Sequence, residues 1–343
     1  MKIKIAITLF TFAFLSACVK DKPQPAPVVD INLSPARKIY IVNEGNFQNG
    51  NASLSLFDTG TNLVVEDYFF KQNNTALGDI AQSISKINNE LYIVVNNSNK
   101  IIVCNDSFKV LRTITGLTSP RYIQQVSAQK AYVSDLYANA ISIIDLNTGV
   151  KTGSIACPGK TEQMVMLNNK VYVTNTEKNY LYVINTLNDA IIDSVVVGLN
   201  ASSIVIDKNN KIWVLISGKP GSTDGMLSRI DPSNLSAVLG LGFGPGIHPH
   251  HLCINGSKDT LFFINEGISY APIADVYKKV DEFVPKGNKN FYGLGIHPIT
   301  HDIYASDALD YIQKSNIYIY SSATGAEKRN FKAGFISNGF YFE

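Results

Sequence analysis

The 343-residue sequence has one tryptophan, four methionines and four cysteines, and helical periodicity is almost absent from it. Once Cys18 is set aside, Cys104, Cys157 and Cys253 remain, an odd number that excludes a disulfide framework closing all of them. Cys104 and Cys253 fall in strand-like segments, where a free cysteine acts as a small hydrophobe. No Cys-x-x-Cys-His is present, which excludes c-type haem attached in the usual way. Nor is there a helical His-x-x-x-His or a Cys partner for the one histidine cluster, His248-Pro249-His250-His251, so a metal is not expected. Thirty basic against 28 acidic residues leave a net charge of +2 and no electrostatic case for nucleic acid. After the first eighteen residues no apolar stretch is long enough to span a bilayer. Ala271 to Val280, the single segment that could be drawn as a helix, reads as an irregular insertion.

The N-terminus is where apolar residues run together. Met1 to Lys4 carry two lysines, Ile5 to Phe14 are apolar except for threonines, and Leu15-Ser16-Ala17-Cys18 follows. This is the layout of a secretory signal over residues 1–17, too short for a transmembrane helix. Its end resembles the bacterial lipobox, which implies that Cys18 is acylated and that the protein is anchored rather than spanning. Residues 18–35 read as a tether, because Pro23, Pro25 and Pro27 alternate with small or polar residues that have nothing to bury.

From residue 36 to 343 one pattern recurs: apolar, aromatic, apolar, any, polar. Its aromatics are Tyr40, Tyr92, Tyr132, Tyr172, Trp213, Phe262 and Tyr304, spaced by 52, 40, 40, 41, 49 and 42 residues. Each copy sits among short β-rich segments separated by Asn, Asp and Gly. Four strands per unit of about 40 residues is the signature of a propeller blade. The fold class expected is therefore all-β, a seven-bladed propeller of four-stranded blades. The tether leaves blade one without an innermost strand, and Phe335 to Phe342 supply it, closing the ring through the two ends. The recurring aromatic reads as packing between blades rather than as a binding stripe.

Function is sought where the copies differ, since insertions in repeat arrays map to loops on one face. The connection between second and third strands is four residues in blades two to four, at Asn96–Asn99, Leu136–Asn139 and Thr176–Asn179, each ending in an Asn suited to left-handed backbone. It is expected to be about nine residues in blades one (Glu44 to Ala52), five (Ser217 to Gly225) and seven (Asp307 to Ser315). In blade six it is expected to be irregular through Glu266 to Pro272. Blades five, six, seven and one are consecutive, so these loops predict a binding arc at one mouth. Candidate ligand-binding residues on that rim are Glu44, Asn46, Phe47, Tyr137, Asn175, Glu266, Tyr270, Asp307 and Tyr311. Tyr122, His251 and Tyr292 join them from the segments entering the innermost strands. The glycines at 240, 242, 244 and 246 are read as a turn between blades, not a phosphate loop, because no helix follows.

With these residues in view, Tyr-Val-Thr-Asn at 172–175 and its relatives resemble the YVTN-type propeller family over nearly all of residues 36–343. The lipobox, the tether, Asn-Glu-Gly-Asn-Phe at 43–47 and Ser-Asp-Ala-Leu-Asp-Tyr at 306–311 are similar to surface lipoprotein propellers of Bacteroidota. That group includes cobalamin-capturing propellers seated over a TonB-dependent outer-membrane transporter. The resemblance implies a non-enzymatic lipoprotein at the outer-membrane surface. It would have no cofactor, would bind a nutrient such as a corrinoid at its looped mouth, and would hand it to such a transporter. A protein-interaction scaffold is the alternative reading. A propeller hydrolase or lyase recruiting Glu44, Glu266, His251 and Asp307 is a further one, but no nucleophile–base pair stands at a telling spacing.

Overall fold

A computed structural model describes residues 37–276 and 281–343. The signal and tether assigned to residues 1–35 lie outside these, as do residues 277–280 of the supposed insertion. The described chain forms seven four-stranded antiparallel sheets, arranged as the blades of a propeller. The blade-one sheet places Ser337–Phe342 against Lys38–Asn43, with Tyr341 opposite Tyr40 and Ser337 opposite Asn43. The C-terminal strand thus closes the ring, beginning two residues later than Phe335.

Burial explains the residue pattern of each strand. A second strand is covered on both faces by neighbouring blades, so Lys170–Asn175 and Ile212–Ile216 bury almost every residue. An outermost strand is covered on one face only, and Val150–Ala156 alternates exposed with covered positions. All seven recurring aromatics are buried, Tyr40, Tyr92, Tyr132 and Trp213 completely. Four polar tips meet carboxylates: Trp213 Nε1 donates to Asp207 at 2.8 Å and the Tyr92 hydroxyl to Glu90 at 3.0 Å, with Tyr40 donating to Glu343 and Tyr132 to Asp189. Apolar clusters join adjacent blades, for example Tyr92, Val94 and Val103 of blade two with Ile123, Val133 and Ile144 of blade three. Truncating such an aromatic to alanine would cost about 3–5 kcal/mol. Cys104 and Cys157 are buried and Cys253 half-buried, all three as free thiols.

The four-residue connections of blades two to four fall at the expected residues, as do the nine-residue loops of blades one and five. Asn99 and Asn139 adopt the left-handed conformation, whereas Asn179 does not. Three expectations need correction. In blade six, Thr260–Asn265 and Gly267–Pro272 are both strands, and Asn265 pairs with Gly267 across the single residue Glu266 at φ +60°. Residues 267–272 alternate apolar with small and polar side chains, so they form a third strand and not a loop. In blade seven the third strand, Lys314–Tyr320, starts early enough to shorten the connection to residues 308–313. Gly240 and Gly242 belong to the long outer strand Asn234–Gly242. A short helix, α1 (Tyr68–Asn73), stands in the connection from blade one to blade two and accounts for the 52-residue spacing.

Candidate functional site

All seven innermost strands carry the same irregularity near the mouth. In blade two Ala81 pairs with Val95 and Ser83 with Val94, leaving Gln82 as an extra residue. In blade three Pro120 pairs with Asp135 and Ile123 with Val133, so two residues oppose one. The shift recurs at Glu162, Ser202, His251, Tyr292 and Asn338. Such bulges re-aim side chains and are common beside functional sites. The re-aimed groups meet one another across blades. Arg121 Nε donates to Glu162 Oε2 at 2.9 Å and its guanidinium also bonds Gln82. Asn338 Nδ2 donates to the Gln82 carbonyl at 3.0 Å, and the rings of His251 and Tyr292 are 5.9 Å apart.

Glu44 is held where the ring closes. The Tyr292 hydroxyl donates to Glu44 Oε2 at 3.0 Å and Asn338 Nδ2 to Oε1 at 2.8 Å, uniting blade one, blade seven and the closing strand. Burial raises the Glu44 carboxyl above its ordinary value, opposed by these two hydrogen bonds and by Arg121. Burial likewise raises Glu162 against the pull of Arg121. Desolvation pushes His250 down to about 4 and His251 to about 3, so both imidazoles are neutral at physiological pH. The Nδ1 atoms of the two rings are 2.9 Å apart. Asn338 Oδ1 is buried without a partner, although its Nδ2 serves two acceptors and fixes the amide orientation.

The backbone of this mouth is strained. His251 has φ +55°, and Ile80 and Ile336, which lead into the strands bearing Gln82 and Asn338, have φ +58° and +51°. A β-branched residue in that region is a true outlier costing about 1–2 kcal/mol. Neighbouring bonds enforce it: Asn96 N donates to the Ile80 carbonyl at 2.7 Å and Glu44 N to that of Ile336 at 2.9 Å. A cluster of strained residues is a feature of binding and catalytic sites. Gly293 belongs to the same arrangement, since a Cβ there would lie 2.7 Å from the Asn338 carbonyl carbon.

Long loops roof the seam. Asn46 Nδ2 donates to the Tyr311 carbonyl at 2.7 Å, joining the loops of blades one and seven, and Gln48 N donates to Asp79 at 2.9 Å. Phe47 is 64 % exposed and Ile312 75 %, while the Tyr311 ring packs edge-on to Tyr292 at 5.7 Å. Glu44, Asn46, Phe47, His251, Tyr292 and Tyr311 are therefore brought together. Tyr122 stands next to Arg121 in the channel and accepts from Gln82 Nε2 at 3.3 Å.

The remaining candidates do not join them. Tyr270 lies mid-strand in blade six, packed edge-on to Phe283 at 4.9 Å, because the supposed loop is a strand. Asn175 spends its amide on the Pro158 carbonyl and on Glu177 and Lys178 N–H. Asp307 accepts from Asn290 and Leu309 N–H, again closing a turn. Glu266 tops its tight turn and pairs with Lys286, and Tyr137 sits exposed on blade three beneath Lys160. Sequence reasoning missed Gln82, Glu162 and Asn338. The signal available was position: each follows the first residue of an innermost strand, the place occupied by Arg121, His251 and Tyr292. Among the described residues no cluster of three or more His, Cys, Asp or Glu could hold a metal.

Solved structures similar to this chain share its fold at low identity. A quinoprotein alcohol dehydrogenase-like protein of Bacteroides thetaiotaomicron aligns with TM-score 0.69 and 13% identity over 90% of this chain and 78% of that one. A functionally unknown protein of Desulfotomaculum acetoxidans gives 0.67 and 10% over 89% and 98%. Hydrazine synthase of Kuenenia stuttgartiensis gives 0.59 and 12% over 70% and 76%. No curated protein matches the sequence. Residues 38–343, the whole propeller, match one family model, and the chain belongs to the family described as Domain of unknown function (DUF5074).

Proposed function

We propose that the mouth between blades six, seven and one is a ligand-binding site. In this reading the protein is an outer-membrane lipoprotein, anchored through Cys18 and facing outward, that captures a nutrient for a TonB-dependent transporter. The observation that carries the reading is the seam cluster. A carboxyl with a raised pKa, two neutral histidines, a tyrosine hydroxyl and an unpartnered amide oxygen converge under strained backbone beside exposed Phe47. Desolvating so many polar groups costs stability, and their convergence with perturbed ionisation in one mouth is the usual mark of a binding site. The reading is binding rather than catalysis, because both oxygens of Glu44 already accept hydrogen bonds from Tyr292 and Asn338.

A corrinoid is the leading ligand. Its support is the resemblance of the repeats and of the 43–47 and 306–311 segments to cobalamin-capturing propellers, together with a mouth that offers flat aromatic faces and amide-binding groups. Titrating the purified protein with cyanocobalamin tests this. Saturable binding tighter than about 1 μM is expected, weakened at least ~10-fold in Tyr292→Phe. Absence of heat and of co-elution at micromolar protein would discard the corrinoid.

A further inference from the structure

Adjacent residues of a regular strand point to opposite faces of the sheet, so the rings of His250 and His251 should not meet. They do meet: the two Nδ1 atoms are 2.9 Å apart and the rings stand edge to face at 5.2 Å. The cause is the bulge of the blade-six inner strand, where the register shifts between His250 and Cys253 and His251 has φ +55°. Strained backbone at His251 is what brings the two rings into contact.

A contact of that length between two uncharged imidazoles needs one N–H and one lone pair, and the surroundings decide which ring gives which. Both rings are neutral, since desolvation pushes His250 down to about 4 and His251 to about 3. His251 also donates to the Asn338 backbone carbonyl. Its Nδ1 faces His250, so that donor is Nε2, and a neutral ring that donates from Nε2 accepts at Nδ1. His250 must then donate from Nδ1, which leaves its own Nε2 as a lone pair. His250 is half-buried, and among the described residues no other hydrogen bond reaches its ring. The neighbouring groups have the same polarity. Tyr292 and Asn338 give their protons to Glu44 and Gln82, and Asn338 Oδ1 is a buried acceptor without a donor. The cluster presents lone pairs and no free proton.

We propose that the mouth takes its ligand through an uncharged N–H donor of that ligand, a carboxamide above all, received by His250 Nε2. The inference rests on the reading of the mouth as a binding site and adds the chemical class of the group recognised there. A carboxylate or phosphate in the same place would set lone pair against lone pair, within the field of Glu266. An ammonium would shed its water for an acceptor without charge, a cost that an amide largely avoids. The direction is fixed, because reversing it would turn a lone pair of His251 onto the Asn338 carbonyl.

Two arms test this on the whole protein. The first needs no ligand: long-range proton–nitrogen correlation spectra of the imidazoles at neutral pH should show His250 protonated at Nδ1 and bare at Nε2, and His251 the reverse. The second adds propionamide or propionate at about 100 mM, an affinity range open to ligands of about five non-hydrogen atoms. Propionamide should move the His250 Nε2 resonance, and propionate should leave it in place. His250→Gln keeps an acceptor and His250→Phe does not, so cyanocobalamin affinity should fall less than ~3-fold in the first and at least ~10-fold in the second. An amide preference that persists while cyanocobalamin fails to bind supports the inference and discards the corrinoid alone. His250 protonated at Nε2, equal responses to the two probes, or no response to either would overturn the inference, and the binding reading would still stand if cyanocobalamin binds.

Discussion

The two halves of the channel ring use polar groups in opposite ways. On blades two to four, Gln82, Arg121 and Glu162 form a closed set in which a guanidinium and a carboxylate satisfy each other beneath four-residue connections. On blades six, seven and one, His251, Tyr292, Asn338 and Glu44 include no cation, leave one amide oxygen unpaired, and are roofed by the loops of blades one and seven. The first half is complete in itself and the second is not. An incomplete set of buried hydrogen-bonding groups is what a ligand can finish.

Disrupting the first half should give the largest effect. Arg121→Met leaves Glu162 buried without its cation, and unfolding in denaturant should show a loss of about 3–5 kcal/mol, largely restored by adding Glu162→Met. If the single variant is as stable as the wild type, the closed half does not hold the ring. Tyr292→Phe acts on the other half. It removes one hydrogen bond, worth about 1 kcal/mol of stability, but should lower cyanocobalamin affinity at least ~10-fold by calorimetry. The ratio of stability loss to affinity loss is the sharpest measure of the difference between the halves.

A pH series refines the comparison. Glu44 has a folded pKa raised above its ordinary value near 4.5. The folded state therefore holds that proton more tightly than the unfolded chain does. Its contribution to stability is full below about pH 4.5 and is lost as pH rises through the folded value. Glu44→Gln cannot titrate, so the fall of Tm with rising pH above 4.5 should be shallower in that variant. Glu162, also raised, drives the same trend in the wild type and remains in the variant. The smallest effect concerns the turn of blade six. Glu266→Gln breaks an exposed pair with Lys286, should cost less than about 0.5 kcal/mol and should leave ligand affinity unchanged.

Blade number, the buried aromatics, the minimal connections of blades two to four and the closing strand were all legible because each is a local pattern repeated at near-constant spacing. Blade six misled because Glu266 turns the chain alone at φ +60°, a conformation its residue type does not advertise. The candidate cluster was half legible. Glu44, His251 and Tyr292 of that cluster stood among the sequence candidates, but Asn338 lies 294 residues from Glu44, and no period connects them. The bulge positions share a place and not a residue type, being Gln, Arg, Glu, Ser, His, Tyr and Asn. Asn175 and Asp307 close turns outside that cluster, and turn-closing and mouth-facing Asx residues look alike in one dimension.

The closing strand also orders events in time. Residues 337–342 provide the inner edge of blade one and, through Asn338, two of the bonds that shape the mouth. A growing chain can stack most of its blades early, yet neither the ring nor the hydrogen-bonded cluster around Glu44 exists before those residues arrive. Contacts at such sequence separation form late and slowly. Closure of the ring and completion of the Glu44 cluster are thereby a single step, and a protease that clips the chain after Phe335 would undo both at once.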